Sequence, residues 1–370
     1  MKARTRKWIA TESDEVVDLN ILDHELETTL TKSNDKSIEL DQIVEDGIDY
    51  SDACDNLRQL KSDVEDIPEE QIKPVLGVIK VAAESYTSRW CGNPSIEIGA
   101  ESNLTKDAVL TTINVSQESM VETGKKWIKE LLRRFLEFMK SLKALGAELT
   151  SRAKSLRAAM KAKFAKDKSF KIEITDPEKF SLHRLTLGDS GEFDINALAN
   201  FLRTAPNVYK LLSPLDAFDE DTPEVAWKWL KYESEISLMG RKLTIVDRRI
   251  NRDVVNEVSL IKTPTIDAKT LEIYVKACEQ VAVMVKNLEN DRIVSNIERD
   301  LNALNDRHKP VSKDSHLHSL YAVKAGLVND YLTSLKQAYT SLDLIIRWAV
   351  SQGGNPDSIN TEEGSSSVKK

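Results

Sequence analysis

Glu233 and Glu235, in the stretch Tyr232-Glu233-Ser234-Glu235, have the Glu-x-Glu spacing with which ADP-ribosyltransferases position a ribose and a nucleophile. That chemistry needs a strand-to-turn setting. Here the pair follows VAWKWLKY, which reads as helix, and no convincing Ser-Thr-Ser strand precedes it. His316 and His318, with Asp314 and His308 nearby, form the densest group of metal-ligand types. On a helix two such histidines point about 200° apart and cannot share an ion. A solvated helix start near Asp314 or Ser315 is the expectation. Cys54, Cys91 and Cys278 are an odd number at wide spacing with no CxxC pair, which suggests three reduced thiols rather than a disulfide or zinc framework. Asp189, Asp194, Asp216, Asp219, Glu220 and Asp221 read as solvated turns. Nothing resembles a phosphate-binding glycine loop, a nucleophile elbow or a metalloprotease helix. The sequence thus assigns no catalytic residue, no metal and no cofactor, and a non-enzymatic protein is expected.

Charge is more informative than any of these residues. The chain of 370 residues has a formal net charge of −8, unevenly placed. Residues 1–123 hold 12 basic and 26 acidic residues, 124–168 hold 14 and 4, and the remainder 26 and 30. A block of +10 within 45 residues makes a local field that acidic partners feel.

The elements that carry this charge are mainly helical, as expected for a chain 41% hydrophobic and 30% charged with few Gly and Pro. No run approaches the ~18 apolar residues of a membrane span. MKARTRKWIATESDEV has a basic start without an apolar core, unlike a secretory signal. Apolar residues at three- and four-residue spacing predict helices over 13–92, with Pro68-Glu69-Glu70 as a helix start and Gly92-Asn93-Pro94 as a boundary. An extended piece, 95–100, leads to a helix capped by Asn103 or Thr105 and running to about residue 166, as one element or as two joined near Gly124. FKIEIT (170–175) alternates as a strand and pairs in expectation with LHRLTL (182–187). Helices are expected over 194–203, 206–212, 223–258, 267–306 and 314–351, and disorder over 353–370. The resulting fold class is mainly α, in four parts. They are an acidic helical leader, 1–101; a long basic amphipathic helix, 102–168; a mainly helical domain with a β-hairpin near 170–187, 169–352; and a polar tail, 353–370.

KKWIKELLRRFLEFMKSLKAL (125–145) is the segment on which function turns. Ile128, Leu131, Leu132, Phe135, Phe138, Met139, Leu142 and Leu145 line one broad helix face, and cations surround it. Such a helix packs in a core, lies on a membrane or partner helix through residues such as Phe135 and Phe138, or offers its cations to nucleic acid. The first reading leads. Candidate contacts to nucleic acid or another acidic surface are Lys125, Lys126, Lys129, Arg133, Arg134, Arg152, Lys154, Arg157, Lys161 and Lys163.

An acidic helical leader, the hinge NPSIEIGAESN, a Trp-containing basic helix and the continuation TSRAKSLRAAMKAK together resemble the internal head proteins of large tailed bacteriophages, over roughly residues 35–170. These are virion structural proteins packed inside the capsid with the genome. The resemblance implies non-specific contact with packaged DNA, other capsid-interior proteins as partners, and, after ejection, a membrane surface or host protein. It implies location in the virion, with synthesis in the host cytoplasm. It also implies removal of a leader by a prohead protease that cuts after a small residue, any residue and glutamate. Ser95-Ile96-Glu97 and Gly99-Ala100-Glu101 fit in an extended setting, whereas Glu84, Glu118 and Ser37-Ile38-Glu39 fit in helical ones. Cutting after Glu101 leaves 41 basic and 37 acidic residues, a product better suited to packed DNA. A membrane-active effector and an ejected enzyme using Glu233 and Glu235 are the rival readings.

Overall fold

The apolar spacing of the acidic N-terminal third produces a single helix, α1 (Leu19–Asp66). The computed structural model describes residues 19–91, 105–164, 170–187, 191–204, 234–258, 263–288, 292–306 and 315–352. Pro68 precedes the short α2 (Glu69–Ile72), and a 3-10 turn joins it to α3 (Leu76–Cys91). The basic segment is one helix, α4 (Lys106–Phe164), started by Thr105, whose Oγ1 accepts the Ala108 N–H at 3.2 Å. At 59 residues it is about 88 Å long. Its two glycines do not break it; they are points of close approach. A Cβ on Gly146 would lie 2.7 Å from the Lys286 backbone, and one on Gly124 would lie 2.4 Å from the Tyr50 hydroxyl.

After α4 come β1 (Lys171–Glu173), a 3-10 turn (Leu182–Leu185) and α5 (Ile195–Thr204). A three-stranded antiparallel sheet follows, β2 (Ser234–Leu238), β3 (Arg241–Val246) and β4 (Arg249–Val254), in the order β2-β3-β4. The chain then forms β5 (Thr265–Asp267), α6 (Ala268–Asn287), α7 (Arg292–Asp306) and α8 (Ser315–Gln352).

Contacts fix the directions of the long helices. Tyr50 meets Met120 and Lys36 meets Glu137, so α1 and α4 are antiparallel. Ser51 meets Ser319 and Ser37 meets Asn329, so α8 is antiparallel to α1. Arg152 meets Asp343 and Leu149 meets Tyr339, so α8 runs parallel to α4. The main core joins Leu40, Val44 and Ile48 of α1 to Phe135, Phe138 and Leu142 of α4, and to α6, α8 and the sheet. A second core, with Leu57, Ile72, Leu76, Ala83, Val109 and Ile113, binds α3 between the distal halves of α1 and α4. The acidic segment 19–91 is therefore one wall of the same bundle as α4.

Several expected elements differ. FKIEIT does not pair with LHRLTL: β1 pairs with β5, Ile172 opposite Ile266, and Leu182 and Leu185, three apart and both buried, form a 3-10 turn beneath α8. The helix expected over 223–258 is, from Ser234 onward, the sheet. Leu243 and Ile245 alternate to one side, and positive φ at Gly240, Asp247 and Arg248 forms the turns. The helix expected over 267–306 is two, α6 and α7. The expectations for 95–100, Asn103, 206–212 and 353–370 fall outside the described residues.

Gly47 and Gly77 make a direct comparison. A Cβ on Gly47 would lie 2.0 Å from the buried Trp127 ring, whereas one on Gly77 would meet nothing within 4 Å. Gly47→Ala should lower the urea midpoint, an overpacking cost of about 1–3 kcal/mol exceeding the helix-propensity gain. Gly77→Ala should raise it, by about 0.5–1 kcal/mol.

Candidate functional site

The apolar face of α4 is consumed by the fold. Phe135, Phe138, Leu142 and Leu145 are fully buried, Ile128 and Met139 nearly so, and Leu132 is half-buried. Phe135 and Phe138, the residues a membrane-bound helix would insert, are closed within the bundle.

The cations of α4 separate into two groups. Lys126, Lys129, Lys140, Lys154 and Lys161 are exposed, and among the described residues none of them has a carboxylate partner at ion-pair distance. With exposed Lys143 they form a ridge about 52 Å long from Lys126 to Lys161. The pairs Lys126/Lys129, Lys140/Lys143 and Lys154/Arg157 recur 14 residues, or about 21 Å, apart. Lys143 itself and the remaining cations of α4 have partners. Lys125 meets Glu122 at 2.8 Å, Arg133 holds Glu130 and Glu137, Arg134 joins Glu130 to Glu39 of α1, and Arg157 grips Glu279 of α6. The Arg133 hydrogen bond, with Arg134 beside it, draws the Glu130 carboxyl down to about 2. Lys163 is half-buried and also has a partner. Arg152 leaves the set of surface contacts, because it is 2% exposed and donates to buried Asp343 at 3.0 Å.

Four arginines of the sheet form a second charged assembly. Arg241 and Arg252 converge on Asp330 of α8, at 3.2 and 2.8 Å. Arg252 also meets Asp41 of α1 at 3.2 Å, Arg248 meets Asp52 and Asp55 at 2.5 and 2.9 Å, and Arg249 meets Asp49 and Asp52 at 2.9 and 3.1 Å. The sequence reading missed this assembly. Its signal was present: residues 41–55 hold six acids and no cation, and 241–252 hold five cations in 12 residues.

Of the candidate catalytic and ligand groups, the structure describes Glu235 and His318. Glu235 lies on β2, not on a helix, and pairs with Lys242 at 2.7 Å; Tyr232 and Glu233 fall outside the described residues. Beside β3 and β4 runs a hollow of about 610 Å³ lined by Thr244, Val246, Ile250, Asn251, Arg252 and Asp253, without Glu235. His318 is not solvated: it is 1% exposed and sits against the Tyr50 and Trp127 rings, with centroids 5.2 and 5.3 Å away. The helix bearing it starts at Ser315; the His316 side chain, His308 and Asp314 lie outside the described residues. Among the described residues no group of three or more His, Cys, Asp or Glu could hold a metal ion. Cys278 is buried, which pushes its thiol up, and Cys54 is half-buried. Asp194 accepts the Asn196 N–H at the start of α5, a turn role. Asp189, Asp216, Asp219, Glu220 and Asp221 fall outside the described residues. So do Glu97 and Glu101, whereas Glu84 is in α3 and Glu118 in α4, in helical backbone that offers no extended strand to a protease.

No family model, curated protein or solved structure matches the chain. No helix among the described residues is long and apolar enough to cross a membrane.

Lys336, 3% exposed, donates to Asn34 of α1 at 2.8 Å, and burial draws its ammonium down to about 8. The unfolded chain therefore holds more protons between about pH 8 and the ordinary lysine value, and stability rises with pH across that window. The difference in unfolding free energy between wild type and Lys336→Met should grow in favour of the wild type from pH 8 to 10 and stay flat below pH 7, as measured by urea titration.

Proposed function

We propose that the chain is an internal structural protein of a virion, carried in the head of a large tailed bacteriophage and lying against packaged DNA. The observation that carries this reading is the sorting of the α4 cations: those not engaged within the fold stand outward in one row. A rod of lysines at regular spacing suits a phosphate backbone met without regard to sequence. The resemblance over residues 35–170 supplies the setting, in which the protein is structural rather than catalytic and its neighbours are DNA, a prohead protease and other interior proteins. Processing after Glu101 removes 23 of the 60 acidic residues against 11 of the 52 basic ones, and the more basic product favours the same contact. Delivery into the host on ejection belongs to this reading.

Two experiments test it. Log affinity for a mixed-sequence duplex against log salt should be linear, and Lys126→Gln/Lys129→Gln/Lys140→Gln should flatten the slope by about 2.7, close to 0.9 per cation. Arg133→Gln, which removes a cation already held by Glu130 and Glu137, should change it far less. Equal effects of the two would refute the ridge as the contact. Intact mass and N-terminal mapping of the protein from purified particles should then give a mature start at Ile98 or Ser102. A full-length chain would remove the processing step, and absence from particles would overturn the assignment to the head.

A further inference from the structure

The turn between β3 and β4 is two residues, Asp247 and Arg248, with φ of 47° and 70°. Asn-Gly adopts this conformation at low cost, whereas an arginine adopts it with strain. What the strain secures is the position of Arg248, which reaches Asp52 and Asp55 of α1, while Arg249 reaches Asp49 and Asp52, and Arg252 reaches Asp41. These carboxylates lie along one side of α1 over about 21 Å. To an arginine they present what a nucleic-acid backbone presents, regularly spaced anions on a rod.

The carboxylates lie at the water boundary, whereas the Arg248 side chain is 8% exposed and sits beneath them. Arg249 is 48% exposed and the four aspartates between 22% and 38%, so they are screened by salt and exchangeable. Arg252 also lines the open hollow beside β3 and β4, which gives it a face toward solvent.

We propose that the β3–β4 hairpin is a second phosphate-binding element, with Arg248, Arg249 and Arg252 held in reserve by the carboxylates of α1. The ligand is the phosphate backbone of nucleic acid, and the mask is α1, in the acidic segment that the proposed processing severs from the rest of the chain. The inference rests on the reading that this chain works against packaged DNA and adds a control to it. While α1 is in place the chain meets DNA through the ridge alone; with the α1 carboxylates neutralised or removed, the hairpin arginines join.

The test uses the full chain and a 20-bp mixed-sequence duplex, with binding followed by fluorescence anisotropy between 50 and 200 mM NaCl. Asp49→Asn/Asp52→Asn/Asp55→Asn removes the mask from Arg248 and Arg249, while Arg252 stays on Asp41 and Asp330. Glu25→Gln/Glu27→Gln/Asp35→Asn, at exposed positions of α1 distant from the hairpin, makes the same change in net charge. The unmasked variant should bind about tenfold tighter than this control, with a salt slope steeper by about 1.8, from 0.9 for each of the two released arginines. Adding Arg248→Gln/Arg249→Gln should return it to the control. Equal binding by the two charge variants, or a gain that survives loss of the arginines, overturns the proposal. If circular dichroism shows the triple variant unfolded, Asp49→Asn against Glu25→Gln makes the same comparison with a smaller expected gain. Loss of binding in the ridge variant, with no difference between the charge variants, overturns the mask and leaves the ridge. Binding indifferent to the ridge but responsive to the mask overturns the ridge alone.

Discussion

Burial of α8 on all sides is the constraint to which the rest of the structure answers. From His318 to Leu332 every side chain of this helix is buried, and its sequence does not supply an apolar surface in every direction. Asn329, Asp330, Lys336 and Asp343 are each 5% exposed or less. A buried polar group without a partner costs about 1–3 kcal/mol, and a buried charge stripped of its partner about 3–5. Each neighbour must therefore bring a matching group at a fixed height. Ser37 and Asn34 of α1, Arg152 of α4, and Arg241 and Arg252 of the sheet do so. These pairings set the register of three elements against one axis, which apolar contact alone leaves free to slide.

Glycine at the crossing of α1 and α4 completes this arrangement. Trp127 of α4 lies over Gly47 of α1, and Tyr50 of α1 lies over Gly124 of α4. Each ring also donates to a carbonyl on the other helix, Trp127 to Ile43 at 2.8 Å and Tyr50 to Met120 at 2.7 Å. His318 of α8 closes the cluster from the third side. The acidic helix is thus bound by shape and hydrogen bonds as well as by charge. Its acids serve as partners for the sheet while its leucines and valines serve the core.

Charge in this protein has two destinies, decided by reach. Cations whose side chains meet a carboxylate on α1, α6, α8 or α4 itself stabilise the bundle, and those one helical position further out meet water. The outward lysines make this surface positively charged, and the inward arginines give the bundle its register. A net charge of −8 conceals both, because the acids that neutralise the total are concentrated in a different part of the fold.

Much of the helical architecture was legible in the sequence. Helix over Lys106–Phe164, as one element or two joined near Gly124, Thr105 as one of two candidate caps, the start at Pro68 and the boundaries of α5 and α8 all follow from apolar period, caps and proline placement, which act within a few residues. The exposed lysines were legible as a basic face. The sheet was not: its strands alternate only over five or six residues, and the helical cast of VAWKWLKY carried the reading forward into them. The partner of β1 was not either, since Ile172 and Ile266 lie 94 residues apart and nothing local records that contact. Sequence alone determined that the chain forms long amphipathic helices with an acidic and a basic segment. Only the tertiary structure decided which cations are engaged and which face solvent. An ion pair between Arg152 and Asp343, or between Arg248 and Asp55, exists only once distant helices and strands are brought within about 3 Å.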